Sequence, residues 1–165
     1  MGSNGHMTML GTAVLVGSIL ATAMASGLLY SFAHSVMPGL GTLDDREFLT
    51  AFQRIDAAIY NPWMMSTFVG SPVLTVAALV LYLLDGNGAV GWLAVALVLT
   101  IATVIITGAV HLPLNAATQD AAPEFLDAGR LRSRFETRWV RWNVVRTVTS
   151  IGSLAALCGA LLAGR

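Results

Sequence analysis

Residues 90–112 read VGWLAVALVLTIATVIITGAVHL, 23 positions without one Asp, Glu, Lys or Arg. An α-helix needs about 20 predominantly apolar residues to cross a hydrocarbon layer ~30 Å thick. This stretch is long enough, and it lacks the alternation that a barrel strand would carry. Bilayer hydrocarbon offers no water to an unpaired backbone, so a single chain this short must satisfy itself within helices.

The same gap recurs on either side. No charged residue precedes Asp44, and none lies between Asp56 and Asp85, Asp85 and Asp120, or Arg146 and Arg165. The gaps predict four spans in one domain covering residues 8–165: Met9 to Met37, Pro62 to Leu84, Val90 to Leu112, and Trp142 to Ala163. Asp85-Gly-Asn-Gly88 reads as a tight turn between the second and third. Residues 1–7 read as an expression-tag remnant and are set aside with His6. Of the 165 residues, 56% are hydrophobic and 11% charged, where a soluble domain carries about 25% charged. That leaves too little polar surface to cover a water-soluble globule. Nine basic residues balance nine acidic ones, so no basic field points to nucleic acid. The single cysteine, Cys158, excludes an internal disulfide and a Cys-based zinc motif. The predicted class is all-α, an integral membrane four-helix bundle with the lipid bilayer as its first partner.

Two longer connections lie on one side. In the first, Gly39 to Asn61, Thr42-Leu-Asp-Asp45 resembles a capping box, and Phe48, Phe52, Ile55 and Ile59 recur at helical spacing. Gln53, Asp56 and Tyr60 share another face. The second, Ala116 to Arg141, has Pro123-Glu124 at an expected helix start, followed by Arg130, Arg132, Arg134, Arg138 and Arg141. Both are expected to form short amphipathic helices at the headgroup level or capping the bundle. Eight of the nine basic residues, all Arg, fall on this side or at its border. The positive-inside rule then places the connections in the cytoplasm and both termini outside. Trp63, Trp139 and Trp142 would mark the inner interface and Trp92 the outer. Small residues recur every fourth position at Ala13, Gly17, Ala21 and Ala25, and at Gly152, Ala156, Ala160 and Gly164. Such stripes permit close helix approach, within the chain or in a homo-oligomer.

The polar residues of the spans are the functional signal. His34 ends the first span, Asn61 starts the second, His111 and Asn115 end the third, and Asn143 and Arg146 start the fourth. Alternating helix direction brings all of them to one end of the bundle. Polar groups in a lipid-embedded helix are costly unless they pair or line a wet cavity, so their convergence predicts a site. Each also has a plainer use. Asn61 before Pro62 caps a helix, His34 bonds a backbone carbonyl, Arg146 snorkels to the headgroups, and Gln53 and Asp56 form the wet face of a surface helix.

Four segments together resemble the anthrone oxygenase-like family of small four-span membrane proteins. They are Phe32-Ala-His-Ser-Val-Met-Pro-Gly-Leu40, Phe52-Gln-Arg-Ile-Asp-Ala-Ala-Ile-Tyr-Asn-Pro62, His111-Leu-Pro-Leu-Asn115 and Arg138-Trp-Val-Arg-Trp-Asn-Val-Val-Arg146. The resemblance implies motif positions at Gln53, Asn61, Pro62, Pro113, Asn115, Trp142, Asn143 and Arg146. His111 and Asp56 stand where asparagine is more usual in that pattern, and His34 where a small polar residue is common. The implied activity is oxidation of an anthrone to an anthraquinone by O2 without a cofactor, on a hydrophobic planar small molecule. In that chemistry His34 or His111 would serve as base, and Arg146, Asn115 and Asn143 would hold the developing oxyanion. Trp142 would stack on the rings, while Gln53, Asp56 and Asn61 would complete the substrate contacts. Two alternatives stand beside it. One is a non-catalytic lipophilic-ligand, quinone-binding or structural module. The other is a metal-dependent oxidase in which His34, His111 and Asp56 ligate a transition metal. Four spans without repeats or a polar path through the outer half argue against a transporter.

Overall fold

A computed structural model describes residues 9–121 and 127–164; the tag-like residues 1–7 and the expected helix start at Pro123-Glu124 lie outside them. Four helices are long and apolar enough to cross a membrane: α1 (Met9–Leu40), α3 (Pro62–Leu84), α4 (Val90–Asp120) and α5 (Ala128–Ala163). Between α1 and α3 lies α2 (Asp45–Ile59). The bundle is a square in which α1 sits between α3 and α5, and α4 packs on α5 and α3. Exposed Val, Leu and Ile side chains, among them Val73, Val80, Val98, Ile105 and Val148, cover the outside. This is the surface of an integral membrane protein.

Local chemistry sets the boundaries. Asp44 caps α2 by accepting the Glu47 N–H, so the cap is Asp44 and not Thr42, whose hydroxyl donates to the Gly39 carbonyl. Asn61 accepts the Met64 N–H at 3.0 Å, and Pro62 follows at the first helical position. Gly86, at φ 65°, turns the chain between α3 and α4. Two prolines reshape the spans. Phe32–Val36 in α1 and Thr107–His111 in α4 are π-helical, and each segment ends two residues before a proline, Pro38 or Pro113. Proline has no N–H and its ring crowds the carbonyl one turn back. The widened turn relieves this, with Met37 N–H bonding Phe32 O and Leu112 N–H bonding Thr107 O.

The spans therefore run past their expected ends, to Leu40 in the first and Asp120 in the third. The second connection is not a separate surface helix either. Residues 128–141 are the leading half of α5, a rod of 36 residues, about 54 Å long. Arg132 ties that half to the rest of the end that carries the long connections, here the basic end. Its guanidinium donates to the Leu43 and Gly41 carbonyls and pairs with Asp45 and Glu136, lying 4.4 Å from the Phe48 ring. At this end Phe32, Met37, Phe48, Leu49, Phe52, Phe135 and Trp139 form one buried cluster. A second cluster around Leu15, Tyr82, Leu93 and Leu157 fills the opposite end. Between them, hydroxyl pairs join the helices: Thr22–Ser71 across α1 and α3, Ser26–Ser150 across α1 and α5, Thr100–Ser153 across α4 and α5. The small-residue stripes serve these intrachain contacts, with Gly17 against Leu74, Ala21 against Gly70 and Gly152 against Leu99.

Candidate functional site

A cavity of about 210 Å³ opens inside the basic end, framed by α1, α2, α3, α4 and α5. That is below the ~300–1,000 Å³ of pockets for drug-sized ligands, so it suits a small molecule. Its walls are largely apolar and aromatic, with Phe32, Phe52, Phe68 and Trp139 among them, and its polar lining includes Asp56, Thr107, His111, Asn115 and Arg146.

One hydrogen-bonded chain crosses the cavity wall. Trp139 Nε1 donates to Asn115 Oδ1 at 2.9 Å, and Asn115 Nδ2 donates to Asp56 Oδ1 at 2.6 Å. Gln119 Nε2 donates to the other Asp56 oxygen at 3.3 Å. The buried Asp56 carboxyl is raised above its ordinary value of 3.8, because burial disfavours its charged form more than the two amides and the Arg146 charge favour it. Gln53, expected at the substrate, instead donates to the Thr118 carbonyl and accepts from Gln119 at its own carbonyl, joining α2 to α4.

Arg146 is buried at 8% exposure. Its Nε donates to Asn143 Oδ1 at 2.9 Å and its Nη1 to Thr107 Oγ1 at 3.4 Å. Among the described residues it forms no ion pair, and the guanidinium lies 5.3 Å from the Trp139 ring. Asn143 is itself fixed by donating to the Leu29 carbonyl of α1, so it aims the guanidinium instead of lining the cavity. His111 stands edge-on to Trp139, ring centroids 5.1 Å apart. Its Nδ1 is 3.4 Å from the Ile106 carbonyl, and its Nε2 is buried without a partner.

Three expected residues fall elsewhere. His34 is exposed, its Nδ1 bonded to the Tyr30 carbonyl at 2.7 Å and its ring stacked on Tyr30 at 4.2 Å. The polar interface around its own helix claims it. Asn61 is spent on capping α3, also donating to the Ala58 carbonyl. Trp142 is 37% exposed and outside the lining. The indole in the cavity is Trp139, expected in the interfacial belt but 2% exposed. The pattern that marks it is Trp139, Asn143 and Arg146, spaced by four and three on one face of α5. Among the described residues no three His, Cys, Asp or Glu are gathered as a metal site, and His34 lies on the outside while His111 and Asp56 line the cavity.

A family model described as anthrone oxygenase matches residues 63–156. The match takes in His111, Asn115, Trp139, Asn143 and Arg146, and leaves out the segments holding His34, Gln53 and Asp56. No curated protein and no solved structure matches the chain.

Proposed function

The chain belongs to the anthrone oxygenase family, and from that premise we propose that it is a membrane-embedded oxygenase converting a planar anthrone-type aromatic to a quinone with O2 as co-substrate and no resident cofactor. The observation that carries this reading is a pairing in the cavity lining: the His111 imidazole, its Nε2 without a hydrogen-bond partner, and the Arg146 guanidinium, which forms no ion pair among the described residues. In this reading His111 takes a proton and Arg146 holds the oxygen that becomes negative.

An anthrone's central CH2 is acidified by two aryl rings and the conjugated ketone. His111 Nε2 takes one proton, and the charge moves to the ketone oxygen, where Arg146 holds it. The electron-rich carbon reduces O2 and bonds to it, giving a hydroperoxide once the outer oxygen is protonated. Loss of the second proton from that carbon, with cleavage of the O–O bond, leaves a carbonyl and releases water. The sum is CH2 plus O2 giving C=O plus H2O. Trp139, its N–H tied to Asn115, offers a fixed aromatic face for the rings. In this reading the basic end, with its excess of arginines, lies in the cytoplasm.

The test is anthrone oxidation by the purified full chain in lipid, followed by quinone absorbance and O2 consumption in equal amounts. His111→Ala is expected to abolish turnover while Trp139 emission still responds to added anthraquinone. Undiminished turnover in His111→Ala would remove the base. A quinone-binding module is the second reading, favoured by the aromatic walls beside the Arg146 guanidinium; it predicts the same emission response with no O2 uptake.

A further inference from the structure

The aqueous end of the cavity is closed. Side-chain amides stitch α2 to α4 there: Gln53 to the Thr118 carbonyl, Gln119 to the Gln53 carbonyl, and Asn115 with Gln119 to Asp56. Beneath that seam Phe48 and Phe52 pack edge-on to Phe135, and Phe52 also to Trp139, all buried.

The side wall is different. Among the cavity-lining side chains only Tyr60, Met65 and Leu112 are exposed, at 56%, 39% and 46%. Tyr60 ends α2, Met65 is in the first turn of α3, and Leu112 directly follows the π-helical turn of α4. Trp63, 82% exposed beside Met65, is the kind of indole that sits at headgroup level. These exposed lining side chains therefore stand on the wall that Trp63 puts at the level of the membrane interface.

We propose that the cavity is loaded sideways from the bilayer, through a mouth framed by Tyr60, Met65 and Leu112, and takes ligands dissolved in the membrane in preference to ligands dissolved in water. The inference rests on the reading of this cavity as the ligand site. It adds a substrate property, partition into lipid, that the oxidation chemistry does not require.

Replacing Trp63, Trp92 and Trp142 with Phe leaves Trp139 as the sole indole of the full chain, reconstituted in phosphatidylcholine vesicles. The probes are 9,10-anthraquinone, which partitions into the bilayer, anthraquinone-2-sulfonate, which stays in water, and phosphatidylcholine brominated on its acyl chains. Anthraquinone is expected to quench Trp139 and the sulfonate to do so far less. Met65→Phe with Leu112→Phe should slow the quenching roughly tenfold, within the 1–3 decades that association rates span among variants of one site. Met65→Leu should keep the original rate, and circular dichroism separates a narrowed mouth from a lost fold. Equal quenching by the sulfonate, or a rate indifferent to the double variant, overturns the proposal. So does protection of Trp139 from both anthraquinone and brominated lipid. Quenching through the mouth without anthrone turnover would sink the oxygenase reading alone. Turnover unaffected by the double variant would sink the mouth alone.

Discussion

Arg146 shows how a single side chain carries both the cost and the use of a buried charge. Its direct partners are neutral, Asn143 and Thr107, and a guanidinium so placed is retained where something anionic visits. Arg146→Met is expected to lower kcat by about 10²–10³, the usual loss when one oxyanion donor is removed, measured as initial rates of quinone formation. Asp56 gives a pH signature. Its folded pKa lies above the ordinary 3.8 because it is buried, so the folded chain holds that proton more tightly than the unfolded one. The stability contributed is full below 3.8 and is lost as pH rises through the raised value. Asp56→Asn should remove this slope, so that melting curves of wild type decline against the variant as pH climbs from 4. The convergence of Asn115, Asn143 and Arg146 at one end was legible in the sequence because polar groups on lipid-embedded helices are expensive. His34 and Trp139 were not. Charge gaps fix depth along a helix but not the direction a residue faces, and the π-turn at Phe32–Val36 shifts that direction further.

At the scale of elements, α2 is held in place by its neighbours more than by itself. Arg132 makes hydrogen bonds to Leu43, Gly41, Asp45 and Glu136. Arg132→Ala is expected to destabilise the chain by about 1.5–3 kcal/mol, the range for hydrogen bonds to charged groups, and to raise KM by loosening the roof of the cavity. Thermal unfolding in mild detergent and steady-state kinetics check the two parts. At the far end, a Cβ on Gly159 would fall 2.8 Å from the Trp92 ring. Gly159→Ala should therefore cost about 1–3 kcal/mol as overpacking, seen as a lower melting temperature with kcat unchanged. The existence and order of the helices were readable from hydropathy and proline. The continuity of α5 was not, since a run of arginines before a span reads equally as a surface helix or as the span's own extension.

For the molecule as a whole, the proposed chemistry draws on side chains and O2. Dialysis against a chelator is expected to leave anthrone turnover intact, and a loss restored by one metal ion would return a metal to the mechanism. The four spans followed from the charge gaps, but their packing order and the cavity did not, because the cavity walls come from five helices whose facing depends on side-chain packing.

The length of α5 carries one more implication. A bilayer with shorter acyl chains makes a helix lean when its apolar stretch exceeds the hydrocarbon thickness, and Trp139 and Arg146 ride on this rod while His111, Asn115 and Asp56 ride on α4 and α2. Leaning thus changes the distance between the indole and the imidazole, so pocket shape is coupled to membrane thickness. Turnover measured across vesicles of graded chain length should pass through an optimum and fall away on both sides.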